Sequence, residues 1–317
     1  MSRILGPPAV SIVLVTRNGA ATLPEVLDVI DAQDVDFPFE VVAVDSGSTD
    51  GTHELLARRV DTLVTIDANA FNHGTTRNLG IERANGSLVV LLVQDATPDG
   101  RHWLASLTAP FAADPELAGA FCRQLPCQDA SPLTRHYLSK WFASGGHGRR
   151  VSLGKLEKLS ALAPLEQLDR CTFDNVCSCV RRSVWQQHRF APTPIAEDVE
   201  WAKTVLQHGF ALAYLPDAVV VHSHDRSPGY ELVRTYVLHR RLFELFGVRT
   251  IPTVGALIRA IASCLRVHRH CIQESYPAAS ISSVCRAMAL AVAWPVGQYV
   301  GALSAAKGWT AFRVKGV

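Results

Sequence analysis

The stretch LLVQDATP, residues 91–98, ends a long apolar run (SLVVLLVQ, 87–94) on Gln94 and a lone acid, Asp95, before the chain turns at Thr97-Pro98. An apolar strand that delivers a single carboxylate to its tip presents it to something. Two earlier runs have the same form: VSIVLVT (10–16) leads into Arg17-Asn18-Gly19, and FEVVAVD (39–45) leads into Ser46-Gly47-Ser48. A shorter run, VDTLVTID (60–67), lies between them and residue 87. These runs are apolar on both faces, as strands of a parallel sheet covered by helices must be. One helical pattern separates each from the next, which predicts βαβ units and a doubly wound α/β sheet. Its polar clusters, Thr16-Arg17-Asn18, Asp45-Ser46-Gly47-Ser48 and Gln94-Asp95, all fall at strand carboxyl ends, where such a sheet binds its ligand. No GxGxxG follows the first strand and no GxxxxGK[ST] occurs, which disfavours a dinucleotide enzyme and a P-loop NTPase.

The composition, 48% hydrophobic and 19% charged over 317 residues, is that of a globular chain with a full core. Its net charge of +2 conceals an asymmetry: from Arg226 onward twelve Lys/Arg face three Glu, while the first 225 residues are net acidic. An acidic body with a basic tail points to a polyanionic partner. The tail lacks a basic-aromatic reading surface, which argues for an anionic membrane surface and against nucleic acid. The N-terminus, MSRILGPPAVSIVLVT, shows no cleavage-site pattern, so the eight cysteines are expected to be reduced thiols. Cys171, Cys177 and Cys179 lack the spacing of a paired zinc site and are expected to pack in the interior.

After residue 125 the pattern loosens. PCQDASPLTRHYLSKWFASGGHGRR (126–150) reads as an ordered loop or lid; NVCSCVRRSVW (175–185) restores order; EDVEWAKTVLQHG (197–209) is a helix with an acidic first turn. Two strand-like runs follow, ALAYLP and AVVVHSH, the second ending in His222 and His224, two apart and so on one face.

In order and at the expected intervals, VSIVLVTRNGAATL, VVAVDSGSTDGT, FNHGTTRNLGIERANGSLVVLLVQDATP and AEDVEWAKTVLQHGF resemble the family-2 glycosyltransferases of GT-A fold. Within them, FNHGTTRN, VQDATP and PDAVVVHSH most resemble bacterial rhamnosyltransferases of surface-polysaccharide (O-antigen-type) assembly. The resemblance implies a Rossmann-like, mostly parallel sheet with helices on both faces and a C-terminal helical extension. It implies a GT-A domain over 1–230 (nucleotide-sugar half 9–125, acceptor half 126–230) and a basic helical region over 231–317. In the family the 88–95 strand ends Asp-x-Asp, the last Asp binding a divalent metal on the donor diphosphate. Here Val93-Gln94-Asp95 keeps that position, implying Mg²⁺ or Mn²⁺ at Asp95, with His222 or His224 available to complete the shell. Gln94 is expected to hydrogen-bond a ribose or sugar hydroxyl. Thr16, Arg17, Asp45, Ser46, Gly47 and Ser48 are expected around the nucleoside, Asn18 holding the turn, and Arg77 at the diphosphate or base. Asp198 matches the family's catalytic base, Glu197 is expected to orient the acceptor, and Trp201 and Trp141 to contact it. The activity implied is inverting transfer, best read as L-rhamnose from dTDP-L-rhamnose, to a saccharide or polyprenyl-diphosphate-linked acceptor. Another donor, such as a UDP-hexose, and a non-catalytic sugar-nucleotide-binding or membrane-scaffold protein are the competing readings.

In the tail, apolar positions 254, 257, 258, 261, 265 and 272 share one helical face, with Arg259, Arg266 and Arg269 opposite. Residues 287–306 are uncharged and long enough to span a bilayer, though Pro295, Gly297 and Gln298 favour an interfacial or self-associating helical pair, the latter giving a homo-oligomer. The expected location is cytoplasmic, peripheral on the inner membrane. The Gln-x-x-Arg-Trp signature of processive synthases is absent, so one residue is expected per encounter.

Overall fold

The computed structural model describes residues 6–154, 157–275 and 281–312. The first five residues, two residues of the 126–170 segment, and Arg313 and Lys315 of the basic tail lie outside the described residues. Nine strands form one sheet: β1 (Val10–Thr16), β2 (Phe39–Asp45), β3 (Thr62–Thr65), β4 (Leu88–Val93), β5 (Thr97–Pro98), β6 (Leu117–Leu125), β7 (Arg149–Val151), β8 (Cys177–Arg181) and β9 (Ala211–Val221). Their order is 3-2-1-4-8-6-9-5, with β7 also paired to β9.

The first four pair in parallel, and the alternation of side chains explains their unbroken apolar sequence. Ile12, Leu14, Val41, Ala43, Val90 and Leu92 face a core shared with the helices Leu23–Asp31 and Trp103–Thr108. Val13, Val42, Val89 and Leu91 face a second core on the other side, with Ile81, Phe173 and Trp201. Thr16 lies opposite Asp45, and Val15 opposite Val93, so the clusters after β1, β2 and β4 emerge at one edge.

Beyond β4 the sheet is mixed. β8 runs antiparallel between β4 and β6, and β9 returns parallel to β6. The motif reading left LAGAFCRQL without an assignment, because alanine and glycine are poor strand formers. Their smallness is the reason they are there: a Cβ on Gly119 would sit 2.9 Å from both Phe173 and Trp201. The runs expected as two strands, ALAYLP and AVVVHSH, form the single strand β9, and its pairing with β6 jumps from Cys122↔Leu215 to Arg123↔Val219. Pro216 is tolerated inside that bulge, where no ladder donor is needed. Cys177 and Cys179 share a buried face, with Cys122 Sγ 2.7 Å from Cys177 Sγ, and burial raises both thiols well above their ordinary value.

Three helices follow the sheet, Pro228–Phe246, Val254–Ser275 and Ile281–Lys307. The third contains the uncharged 287–306 stretch and is long and apolar enough to cross a membrane, but half of its most apolar window is buried inside the molecule. It packs on Pro228–Phe246 through Gly297 and Gly301: a Cβ on Gly297 would lie 2.9 Å from Leu232 O, and one on Gly301 would collide with Tyr236 O. The second helix turns inward only part of its hydrophobic stripe, Leu257, Ile261, Leu265 and Ile272 being half-buried. His268 and Cys271 are buried, whereas Val254 and Ile258 are 59% and 63% exposed. The physical reason is that His268 is a satisfied core residue, its Nδ1–H donating to Ala287 O (2.7 Å) and its Nε2 meeting the Tyr137 hydroxyl (2.9 Å). Burial lowers its proton affinity, in keeping with a neutral ring.

Gly301→Val should therefore force the helix pair apart at a cost of about 1–3 kcal/mol. Urea denaturation is expected to show a lower midpoint, and an unchanged midpoint would mean that the close approach is not maintained in solution.

Candidate active site

The short strand β5 carries the geometry. Thr97 pairs with Val221, so the turn between β4 and β5 holds Asp95 beside the residues that leave β9. His222 Nε2 lies 3.7 Å from Asp95 Oδ1, His224 Nε2 lies 3.3 Å from Asp95 Oδ2, and the two Nε2 atoms are 3.0 Å apart. All three ligand atoms fall within 4.8 Å of one another, the donor set of a divalent cation. His222 Nδ1 lies 3.2 Å from Gln124 Oε1, which can only accept, so its proton sits on Nδ1 and Nε2 carries the lone pair that a metal would take. Burial pushes His222 down to about 4, against the opposing pull of Asp95, and lowers His224 as well. Both rings are thus neutral at physiological pH, the state that binds a metal. Asp95 and a neutral imidazole pair, with the Gln124 amide orienting one ring, fit such an ion.

The nucleoside cluster is held by its own hydrogen bonds. Asp45, 1% exposed, accepts from the Ser48 backbone N–H (3.1 Å), the Ser48 hydroxyl and the Thr16 hydroxyl (3.3 Å). Asn18 adopts φ 50°, its N–H donating to Ser48 Oγ (2.8 Å) and its Oδ1 accepting from Thr49 N–H (2.9 Å). It holds the turn. Ser46 N–H donates to Thr16 O (2.9 Å), while its buried hydroxyl has no partner among the described residues. Gly47 takes φ +70°, which a side chain would strain. Arg17 is exposed at the mouth of this cluster.

Gln94 is held by the protein's own backbone. Its Oε1 accepts from Arg17 N–H (2.7 Å) and its Nε2 donates to Arg17 O (3.0 Å), a two-way clasp that no carboxylate can make. That is why an amide rather than an acid precedes Asp95. The clasp also requires Gly19, where a Cβ would lie 2.6 Å from Gln94 Oε1.

Two further expectations are corrected by burial. Arg77 is 7% exposed and forms an ion pair with Glu197 Oε1 at 3.1 Å, also donating to His73 O (3.1 Å) and Asn175 O (3.3 Å). Neither partner of that pair is free for a diphosphate or an acceptor. Trp201 is 1% exposed, its indole N–H donating to His188 O (2.7 Å) in the second core. Trp141, in contrast, is 43% exposed, stacks on Phe142 and turns its indole N–H to Asp174.

Asp198 sits beside the ion pair, at the start of the helix Glu197–Gln207. It accepts from Asn175 N–H (3.3 Å) and Val199 N–H (2.8 Å) and remains partly open to solvent. Dense surroundings, then Glu197 and Asp174, raise its proton affinity well above the usual carboxylate range. Burial opposes ionisation of Glu197 too, but Arg77, His73 and the Asn175 amide together outweigh it and keep that acid charged. Ala196, just before this turn, is held at φ 60°, a left-handed conformation that costs roughly 1–2 kcal/mol for a residue with a Cβ.

The motifs missed Gln124, Asp174 and Asn175. Gln124 Nε2 donates to Asp174 Oδ2 (2.6 Å), and Asn175 donates to both Asp198 and Glu197, so one dipeptide ties the imidazole group to the acid pair. The signal available was Asp174-Asn175 ahead of an apolar run, the same acid-at-a-strand-end pattern read in reverse.

Comparison with known proteins agrees with this geometry. The sequence profile described as "Glycosyl transferase family 2" matches residues 11–160. The O-antigen chain rhamnosyltransferase RfbN of Salmonella typhimurium is 31% identical over 233 residues, 72% of this chain and 70% of that protein. The chain belongs to glycosyltransferase family 2. The O-antigen chain rhamnosyltransferase WbaN of Salmonella anatum is also 31% identical, over 63% of this chain and 61% of that protein. TarS 1-349 of S. aureus shares the fold of this glycosyltransferase, with a TM-score of 0.53 at 15% identity over 96% of this chain and 93% of TarS 1-349. The fold is thus GT-A, as the motifs implied, with a helical region after the sheet.

Gln94→Glu replaces the donor of the clasp with an oxygen facing Arg17 O, a loss of about 1–3 kcal/mol. Thermal unfolding should occur at a lower temperature in the variant at neutral pH, and an unchanged midpoint would show that the clasp does not hold the nucleoside loop.

Proposed function

We propose that this glycosyltransferase transfers L-rhamnose from dTDP-L-rhamnose, with inversion and in the presence of Mg²⁺ or Mn²⁺, to a hydroxyl of a saccharide or polyprenyl-diphosphate-linked acceptor. The observation that carries the reading is the meeting of Asp95, His222 and His224 at the same sheet edge as the nucleoside cluster, linked through Gln124 and Asp174–Asn175 to Asp198. The choice of rhamnose rests on the two O-antigen rhamnosyltransferases it resembles.

Thr16, Arg17 and the Asp45–Ser48 turn would hold the nucleoside. Asp95 with His222 or His224 would hold the divalent ion, which when bound supplies positive charge to the departing nucleoside diphosphate. Asp198 is the base: it takes the proton of the acceptor hydroxyl as that oxygen bonds to the anomeric carbon and the diphosphate leaves. Its raised proton affinity makes it a stronger base than an exposed Asp. Because the base form is the ionised one, the transfer rate should rise with pH on an acid limb lying above the usual carboxylate range. Single displacement turns a β-linked donor into an α-rhamnoside. Arg77 neutralises Glu197 and leaves Asp198 as the acid without a cation of its own.

The division into a donor half (9–125), an acceptor half (126–230) and a basic region (231–317) belongs to this proposal. So does a peripheral position on the cytoplasmic face of the inner membrane, supported by Arg259, Arg266 and Arg269 on the exposed side of Val254–Ser275. One basic residue near an anionic surface contributes about 1 kcal/mol.

Asp198→Asn should abolish transfer while calorimetry still detects donor binding; substantial turnover would remove Asp198 as the base. In the same titrations wild type should bind dTDP-L-rhamnose with Mn²⁺ and lose it with chelator, and Asp95→Ala should bind weakly in both. Preference for UDP-glucose would replace the donor, and chelator-insensitive binding would remove the metal. Changing Arg259, Arg266 and Arg269 together to Glu should weaken binding to anionic vesicles by about two orders of magnitude or more; undiminished binding would place attachment elsewhere.

A further inference from the structure

From Trp141 the chain crosses β6 and leaves the catalytic cleft. Arg123 Nε donates to Ser144 O (2.9 Å) and the Tyr214 hydroxyl to Gly145 O (2.6 Å), so residues 141–145 form a fixed strip from Asp174 to the middle of β9. Behind the strip lies an open cleft of about 160 Å³, room for one small ring and not for a larger ligand. None of its lining residues has a part in the chemistry proposed above.

Its floor is aromatic: Phe121 lies 5.2 Å from Tyr214 at 37°, and 6.0 Å from Phe142 at 79°. Phe142 is 41% exposed, so an aromatic face remains available to a ligand. The rim is polar. His147 and Thr172 stand there with the ion pair Arg149–Asp169, whose side chains are 42% and 59% exposed and offer both donors and acceptors. A floor of rings that accepts C–H faces, beneath a rim that accepts and donates hydrogen bonds, matches a pyranose. It does not match a nucleoside diphosphate, for which the cleft has one partly neutralised arginine and no backbone nest. Phe121 stands three residues before Gln124 on β6, about 10 Å along the strand and on its other face.

We propose that this cleft is a second saccharide subsite, taking a pyranose of the acceptor glycan remote from the hydroxyl that receives the new bond. Trp141, stacked on Phe142 at 4.3 Å, supplies the aromatic step between the two. The assignment rests on the glycosyl-transfer reading and adds where the acceptor's further residues lie.

The test is saturation-transfer NMR on the full chain with methyl α-L-rhamnopyranoside, methyl α-D-mannopyranoside and methyl β-D-galactopyranoside, alongside calorimetry with dTDP and Mn²⁺. At least one glycoside should receive saturation from wild type and equally from Asp95→Ala. The signal should fall about five-fold or more in Phe142→Ala, the loss of one aromatic face, with dTDP binding unchanged. His147→Ala, altering only an exposed side chain, should also reduce it, and this variant decides the matter if Phe142→Ala melts early. Saturation that survives in both cleft variants, or no transfer to any of the three glycosides, overturns the subsite. Failure of dTDP to bind would instead overturn the donor reading, and the glycoside arm would still report on the cleft.

Discussion

The site depends on one irregularity in strand pairing. Between Cys122 and Arg123, β9 advances four residues while β6 advances one, taking up Pro216, Asp217 and Ala218 in a bulge. Gln124 then faces Val220, and His222 leaves the sheet within reach of the Gln124 amide. Had the register of Cys122↔Leu215 continued, His222 would stand three residues further past the edge, far from both Gln124 and Asp95. The two residue pairs of β5 with β9 complete the arrangement by anchoring the turn that carries Asp95. A bulge at a sheet rim that re-aims a side chain is a recurrent device next to active sites, and here the imidazole group is its product.

Charge is distributed with equal economy around the second half of the site. Glu197 and Asp198 are neighbours at the first turn of one helix, with Asp174 close by, and Arg77 is the guanidinium in direct contact with the pair. Arg77 settles on Glu197, and breaking so buried a pair by removing one member costs about 3–5 kcal/mol. The pair therefore holds the site together, and its neighbour Asp198 inherits the excess negative field. Two adjacent acids are driven to different proton affinities largely by one guanidinium, the pattern by which a base and a structural acid are told apart.

The parallel half of the sheet was legible because β1, β2 and β4 are buried on both faces and read as unbroken apolar runs. β6 was illegible for the opposite reason: Ala118, Gly119 and Ala120 leave room for Phe173 and Trp201, and small residues carry no strand signal. The spacing of His222 and His224 put both on one face and the family resemblance pointed them to Asp95, but nothing local announces Gln124 as their support. The protein partners of Gln94 and Arg77 were not legible because they are distant in sequence: a backbone amide 77 residues earlier for one, Glu197 for the other. In the tail, helical periodicity found Val254–Ser275 but only part of its inward face, since His268 with both ring nitrogens satisfied behaves as a core residue.

The central claim is that Asp95 and the imidazoles after β9 form one divalent-cation site. Anomalous diffraction from crystals of the full chain grown with Mn²⁺ and dTDP tests it most directly. A single strong manganese peak at bonding distance from the Asp95 carboxylate and from Nε2 of His222 or His224 is the predicted result. Manganese bound elsewhere, or dTDP bound with no manganese at Asp95, would contradict it.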